Sequence, residues 1–151
     1  MKKKKILILG ADGFIGSNLA KALHDEGKYK IFAFDLFRGG ISRNIDCFDD
    51  DFKMIQGNFL NKGDLKKSLK GIDYVFHLIS LTTPGSSMNE PLLEIDVNIK
   101  ATISLLELCV DEKIKRVIFS SSGGAIYEIK IKWLTMRMIK LSQFLRMRSQ
   151  N

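Results

Sequence analysis

The chain has 151 residues, 45% of them hydrophobic, and a formal net charge of +7. That length suits one domain with a real core, and no apolar run approaches the roughly 20 residues of a membrane span. The charge does not mark a nucleic-acid face: four lysines sit at 2–5, six basic residues and no acid follow Glu128, and residues 6–128 hold 14 basic residues against all 17 acidic ones.

The basic opening resembles a secretory signal, but Gly10 and Asp12 interrupt its apolar core too early. Cys47 and Cys109 stand far apart with no metal-like spacing, which argues against a disulfide framework and for a reduced, cytoplasmic protein. Residues 4–9 (KKILIL) read as a short buried strand. From Phe14 to His24 the apolar positions Phe14, Ile15, Leu19, Ala22 and Leu23 recur at helical spacing, and Gly27 closes the run. KIFAFD (30–35) is a second strand, 36–52 a polar connection, and 53–56 a third strand. DLKKSLKG (64–71) is a short helix ending at Gly71, and DYVFHLIS (73–80) a fourth strand. After a loop, a helix spans 92–112 with Ile95, Ile99, Ile103, Leu106 and Val110 on one stripe, and KRVIFSSS (115–122) is a fifth strand.

Strands that are continuous hydrophobic runs, alternating with helices, imply a parallel sheet covered on both faces. Right-handed crossovers make a doubly wound α/β sheet the economical topology, here with about five strands in three layers. The domain is expected to occupy 1–128, with 129–151 as a separate basic tail.

Strand one ends at Leu9 and the next helix must begin at once, and there the sequence spaces Gly10, Gly13 and Gly16 three residues apart. In a Rossmann-type unit the first glycine permits the tight turn, the second admits a pyrophosphate to the backbone, and the third lets helix and strand pack closely. The helix N-terminus then offers free N–H groups and partial positive charge to phosphate. Asp35, closing strand two, is placed to accept hydrogen bonds from the adenosine ribose and to repel a 2′-phosphate, which favours NAD over NADP. Arg38 softens that preference only if it is more than a solvated loop residue. Asp49, Asp50 and Asp51 read as a solvated acidic turn rather than a metal site.

The G-x-x-G-x-x-G spacing of GADGFIG resembles the short-chain dehydrogenase/reductase superfamily, and within it the extended, UDP-glucose 4-epimerase-like branch of nucleotide-sugar epimerases and dehydratases. GNFLN (57–61) resembles the family's G-D-x-x-D segment, and GIDYVFHLIS its strand-four motif. DVNIKAT (96–102) resembles N-V-x-G-T, and FSSSGGAIY (119–127) the segment with the active-site serine. The resemblance covers residues 4–127 and implies NAD as cofactor and a nucleotide sugar as substrate. It places Phe14 and Ile15 with the glycines at the pyrophosphate and adds Leu36 after Asp35. Asn58 and Phe59 flank the adenine, with an amide at 58 where the family has a carboxylate. Leu78, Ile79 and Ser80 line the cofactor, and Asn98 helps hold the site in register. His77 takes a structural role, and the helix near 92–112 belongs to a dimer-forming surface, so a homodimer or other self-association is expected.

Ser122 matches the serine that hydrogen-bonds the substrate. The family's chemistry also needs a tyrosine with a lysine four residues on, which lowers the phenol's pKa. The tyrosines here are Tyr29, Tyr74 and Tyr127, and position 131, four after Tyr127, is Ile131. After Glu128 the composition changes abruptly, with neither glycine nor proline. A reading-frame shift near codon 128 explains this most simply, leaving an NAD-binding portion that turns nothing over. The rival reading is a non-catalytic dinucleotide-binding module with a basic amphipathic tail (Leu134, Met138, Leu141, Leu145) for a partner or membrane surface. A third is that the tail covers apolar surface where a further helix is missing.

Overall fold

The computed structural model describes residues 3–40, 42–46, 49–80, 92 and 95–120. In chain order these form β1 (Lys4–Leu9), α1 (Phe14–Asp25), β2 (Tyr29–Asp35), a 3-10 turn (Arg38–Gly40), β3 (Phe52–Gln56), α2 (Lys62–Leu69), β4 (Tyr74–His77), a π-helical turn (Ile95–Lys100), α3 (Ala101–Asp111) and β5 (Arg116–Phe119).

The strands make one sheet in the order β3-β2-β1-β4-β5, and every pairing is parallel. The chain runs outward from β1 to β3, crosses back, and runs outward again from β4 to β5. The order therefore reverses between β1 and β4, where Leu9 sits level with Phe34 on one side and His77 on the other. Crevices for ligands open at the carboxyl ends of strands at such a reversal.

Two apolar layers sandwich the sheet. On one face Ile6, Ile8, Ile31 and Ala33 pack with Ala20 of α1. On the other, Leu7, Leu9, Phe34 and Val75 pack with Leu65 and Leu69 of α2 and Leu105, Leu108 and Cys109 of α3. Successive residues of β1 thus serve opposite faces, which is why the strand is apolar throughout. Burial of the Cys109 thiol raises its pKa from 9.0 to about 11, so it is an inert core residue.

Three elements depart from expectation. α2 starts at Lys62, two residues before Asp64, because the Asn61 side chain caps it by accepting from Gly63 N at 2.8 Å and Asp64 N at 3.2 Å. β4 stops at His77, and 78–80 belong to no strand. The helix expected over 92–112 is not uniform, since a π-helical turn precedes α3. Its stripe Ile95, Ile99, Ile103, Leu106 and Val110 stays exposed, while Leu105, Leu108 and Cys109 face the core. Both sets have helical spacing, so periodicity alone does not choose between them. Ser122, Tyr127, the tail and the expected domain boundary at 128 lie outside the described residues.

Candidate cofactor site

The turn after β1 is held from across the sheet. Gly10 N and Ala11 N both donate to Phe34 O, at 3.0 and 3.2 Å, and Leu78 N donates to Leu9 O at 3.0 Å. Gly10 has φ +84°, where an L side chain is strained, and a Cβ there would meet Leu78 and Ile79 at 3.1 Å. A Cβ on Gly16 would lie 2.1 Å from Gly10 O and 2.8 Å from Ala11 Cα, so α1 sits directly on the turn. Gly13 meets nothing nearer than Gly10 O at 3.3 Å, which leaves its outer side open. It is also the N-cap of α1, and no side chain caps the helix. The first-turn amides therefore offer donors and positive dipole at the crevice.

The Asp35 carboxylate is fixed before any ligand arrives. Its Oδ2 accepts from Asp12 N at 2.9 Å and its Oδ1 from Leu36 N at 2.7 Å. Two backbone donors thus orient an anion whose remaining lone pairs suit hydroxyl groups. Between this carboxylate and the glycine turn lies a cleft of about 210 Å³, lined by Gly10, Gly13, Phe34, Asp35, Leu36, Gly57, Asn58, Phe59, Leu78, Ile79 and Ser80. A second cavity of about 350 Å³ adjoins it, sharing Gly13, Asp35 and Leu36, with Asp12, Phe37, Arg38, Arg43 and Asn44 as its other walls.

Most residues singled out in the sequence therefore meet at one cleft, but not all in the same way. Phe14 and Ile15 do not line it; they stand exposed on the first turn of α1, Phe14 by 85%. Gly16 is buried beneath as packing. Asn98 lies half-buried in the π-helical turn and is not among the lining residues. Asn58 Oδ1 already accepts from Leu60 N at 3.0 Å, and Asn58 N donates to Asp64 Oδ2 at 3.0 Å, so residue 58 is itself hydrogen-bonded into the start of α2.

His77 is buried between the rings of Phe59 and Phe119, with centroids at 5.0 and 5.2 Å. Its Nε2 lies 3.0 Å from Thr102 Oγ1, and Nδ1 has no hydrogen-bond partner among the described residues. Burial lowers its pKa and keeps the ring neutral. In the acidic turn, Asp49 meets His24 at 2.7 Å and Asp51 meets Lys3 at 2.5 Å. Among the described residues no group of three His, Cys, Asp or Glu could hold a metal ion.

Two residues do more in the fold than the sequence alone assigns them. A Cβ on Gly57 would lie 2.4 Å from the Phe34 ring, so this glycine lets β3's exit close over β2. Asp12, between the first two glycines, accepts hydrogen bonds from residues 30 to 32 positions away. For Gly57 the signal was its place at the end of a strand; for Asp12 there was none.

The sequence profile of the NAD dependent epimerase/dehydratase family matches residues 6–132. The fold is similar to that of UDP-N-acetylglucosamine 4-epimerase from Methanobrevibacter ruminantium, solved with UDP-N-acetylmuramic acid, with 34% identity and a TM-score of 0.74 over 91% of this chain and 44% of that one. It is also similar to MoeE5, solved with UDP-glucose and NAD, at 32% identity and TM-score 0.67 over 82% of this chain and 38% of that one. The mouse (Mus musculus) sterol-4-alpha-carboxylate 3-dehydrogenase, decarboxylating, is 29% identical over 127 residues, 84% of this chain and 32% of its own length. The chain spans only 31–39% of the curated relatives it matches. A glycine turn packed on a parallel sheet, an oriented acid at the end of β2 and a family match from β1 past β5 agree: this chain belongs to the NAD dependent epimerase/dehydratase family.

Proposed function

We propose that this chain is the NAD-binding portion of a nucleotide-sugar epimerase or dehydratase and that it catalyses nothing alone. The observation that carries the reading is the cleft joining the open glycine turn to an Asp35 carboxylate pre-oriented by Asp12 N and Leu36 N. The residues fit the group: Gly13 leaves room for a pyrophosphate beside uncapped helix amides, and Asp35 offers fixed acceptors to ribose hydroxyls while repelling a 2′-phosphate. NAD in a 32%-identical neighbour supports the choice of cofactor, and the nucleotide sugars in both structural neighbours support the substrate class. When bound, the nicotinamide supplies hydride transfer at a sugar carbon. The chain's own residues bind and orient the dinucleotide, and Ser122 is the one member of the catalytic set the sequence supplies, since no tyrosine is followed four residues later by lysine.

Calorimetric titration with NAD and NADP tests this, alongside an assay converting UDP-glucose to UDP-galactose. Expected are NAD binding in preference to NADP, a loss of about tenfold or more in NAD affinity for Asp35→Ala, and no turnover. No NAD binding by the unaltered chain, or equal binding by Asp35→Ala, overturns the reading.

Self-association is part of the same proposal. Ile95, Ile99, Ile103, Leu106 and Val110 are each at least 41% exposed along one helical stripe, a surface suited to burial against a second copy. No helix among the described residues is long and apolar enough to cross a membrane.

A further inference from the structure

The connection between β2 and β3 runs back over the glycine turn, and one side chain fastens it there. Asp12 Oδ1 accepts from Ser42 Oγ at 2.5 Å, Arg43 N at 3.0 Å and Asn44 N at 3.3 Å. Asn44 Nδ2 returns a hydrogen bond to Asp12 O at 2.6 Å. Ser42 Oγ in turn accepts from Asn44 N at 3.2 Å and Ile45 N at 2.8 Å, and Ile45 is buried in the core on the α1 side of the sheet. Asp12 N, meanwhile, is one of the two donors that orient Asp35. A single residue thus touches the glycine turn, the connection and the acid that closes β2. Arg43 and Asn44, held in this way, wall the 350 Å³ cavity that continues the cleft past Asp35.

We propose that Asp12 is a positioning residue for the ribose end of the cleft: its carboxylate fastens residues 42–45 so that Arg43 and Asn44 stand as a preformed wall beyond Asp35. The proposal rests on the reading of the cleft as a dinucleotide site. Hydrogen bonds to a carboxylate are roughly twice as strong as neutral ones, and several converge here on one oxygen. A segment ordered before binding need not be ordered during it, so releasing the fastening weakens the ligand even though Asp35 and the glycines are untouched.

The unaltered chain, Asp12→Ala, Ser42→Ala and the double variant are compared by NAD titration and by amide hydrogen exchange without ligand. Asp12→Ala is expected to speed exchange at Arg43, Asn44 and Ile45 by about tenfold and to raise the NAD Kd by about tenfold. Ser42→Ala shifts the same amides and the same Kd to a smaller extent, and the double variant falls short of the sum of the two because they share the Ser42–Asp12 hydrogen bond and act on one segment. Unchanged exchange in Asp12→Ala, or faster exchange with unchanged NAD affinity, overturns the proposal. Should Asp12→Ala fail to fold, Ser42→Ala decides, and unchanged exchange and affinity there overturn it. A failure of the dinucleotide reading looks different: the unaltered chain takes up no NAD while exchange at 43–45 still answers to Asp12→Ala. That result overturns the ribose assignment and leaves only a structural fastening.

Discussion

The helices α1 and α3 both expose large apolar side chains, yet they do so in opposite ways. On α1 the exposure is confined to Phe14 and Ile15 in the first turn, and the buried residues are the small Gly16, Ser17 and Ala20. On α3 and the turn before it, exposure runs from Ile95 to Val110, and the buried residues include the large Leu105 and Leu108. Small buried residues let α1 lie close against the β1 turn and bring its amino end to the crevice. Large ones hold α3 off the sheet as ordinary core packing and leave its outer stripe for something else. The open glycine at the amino end of α1 suits a small ligand. A stripe of several turns suits another protein surface.

The sharpest way to break this contrast is at Gly16. A Cβ there meets the Gly10–Ala11 peptide at Gly10 O and Ala11 Cα, and that peptide does not yield without disturbing the hydrogen bonds from Gly10 N and Ala11 N to Phe34 O. Gly16→Ala is expected to lower stability by about 3 kcal/mol and to abolish NAD binding, read by urea unfolding and calorimetry. A loss below about 0.5 kcal/mol would mean that α1 does not rest on the turn.

Next in size is the outer stripe. Ile103 is 52% exposed, so Ile103→Glu should change the stability of a lone copy by no more than about 0.5 kcal/mol. Placed at the middle of a self-associating face, the same charge should weaken association by about a hundredfold. Sedimentation over a range of concentrations reads this directly, and identical association in both proteins would assign the stripe to another purpose.

The sequence made the site more legible than its surroundings. Gly10, Gly13, Gly16 and Asp35 were readable because each performs a backbone or charge task that few residue types can perform, and the task follows from adjacent strand and helix signals. The parallel sheet was readable for a similar reason, since strands buried on both faces cannot alternate. The choice of buried face on α3 was not, because its two apolar sets share one period and the outcome depends on the sheet beneath. The start of α2 is also legible: Asn61 before Lys62-Gly63-Asp64 is a capping signal, and it moves the helix start two residues ahead of Asp64. The contact of Asp12 with Ser42 had no sequence signal at all, because polar residues 30 apart pair only once the fold has set their distance.

The smallest effect expected comes from His77, which links β4 to Thr102 of α3. The ring is 2% exposed, and burial lowers its pKa from 6.5. In the unfolded chain the imidazole takes up a proton near pH 6.5, while in the folded chain it stays neutral. Below that pH the unfolded state binds more protons, so stability falls as pH drops through 6.5 toward the lowered value, and is fully present above it. Asp49 and Asp73 do not interfere. Their pKa values are held below 3.8 by hydrogen bonds from His24 and Lys115 respectively, so their contributions fade only below about pH 5. His77→Phe keeps a ring between Phe59 and Phe119 and removes the titration, and every other side chain is the same in both proteins. Thermal unfolding at about pH 7.5 and about pH 5.5, a window set by the His77 and carboxylate values, should show a midpoint that falls more in the unaltered chain than in His77→Phe. Equal falls would mean that the ring takes up its proton inside the fold, and that the join between β4 and α3 is loose enough to admit a charge.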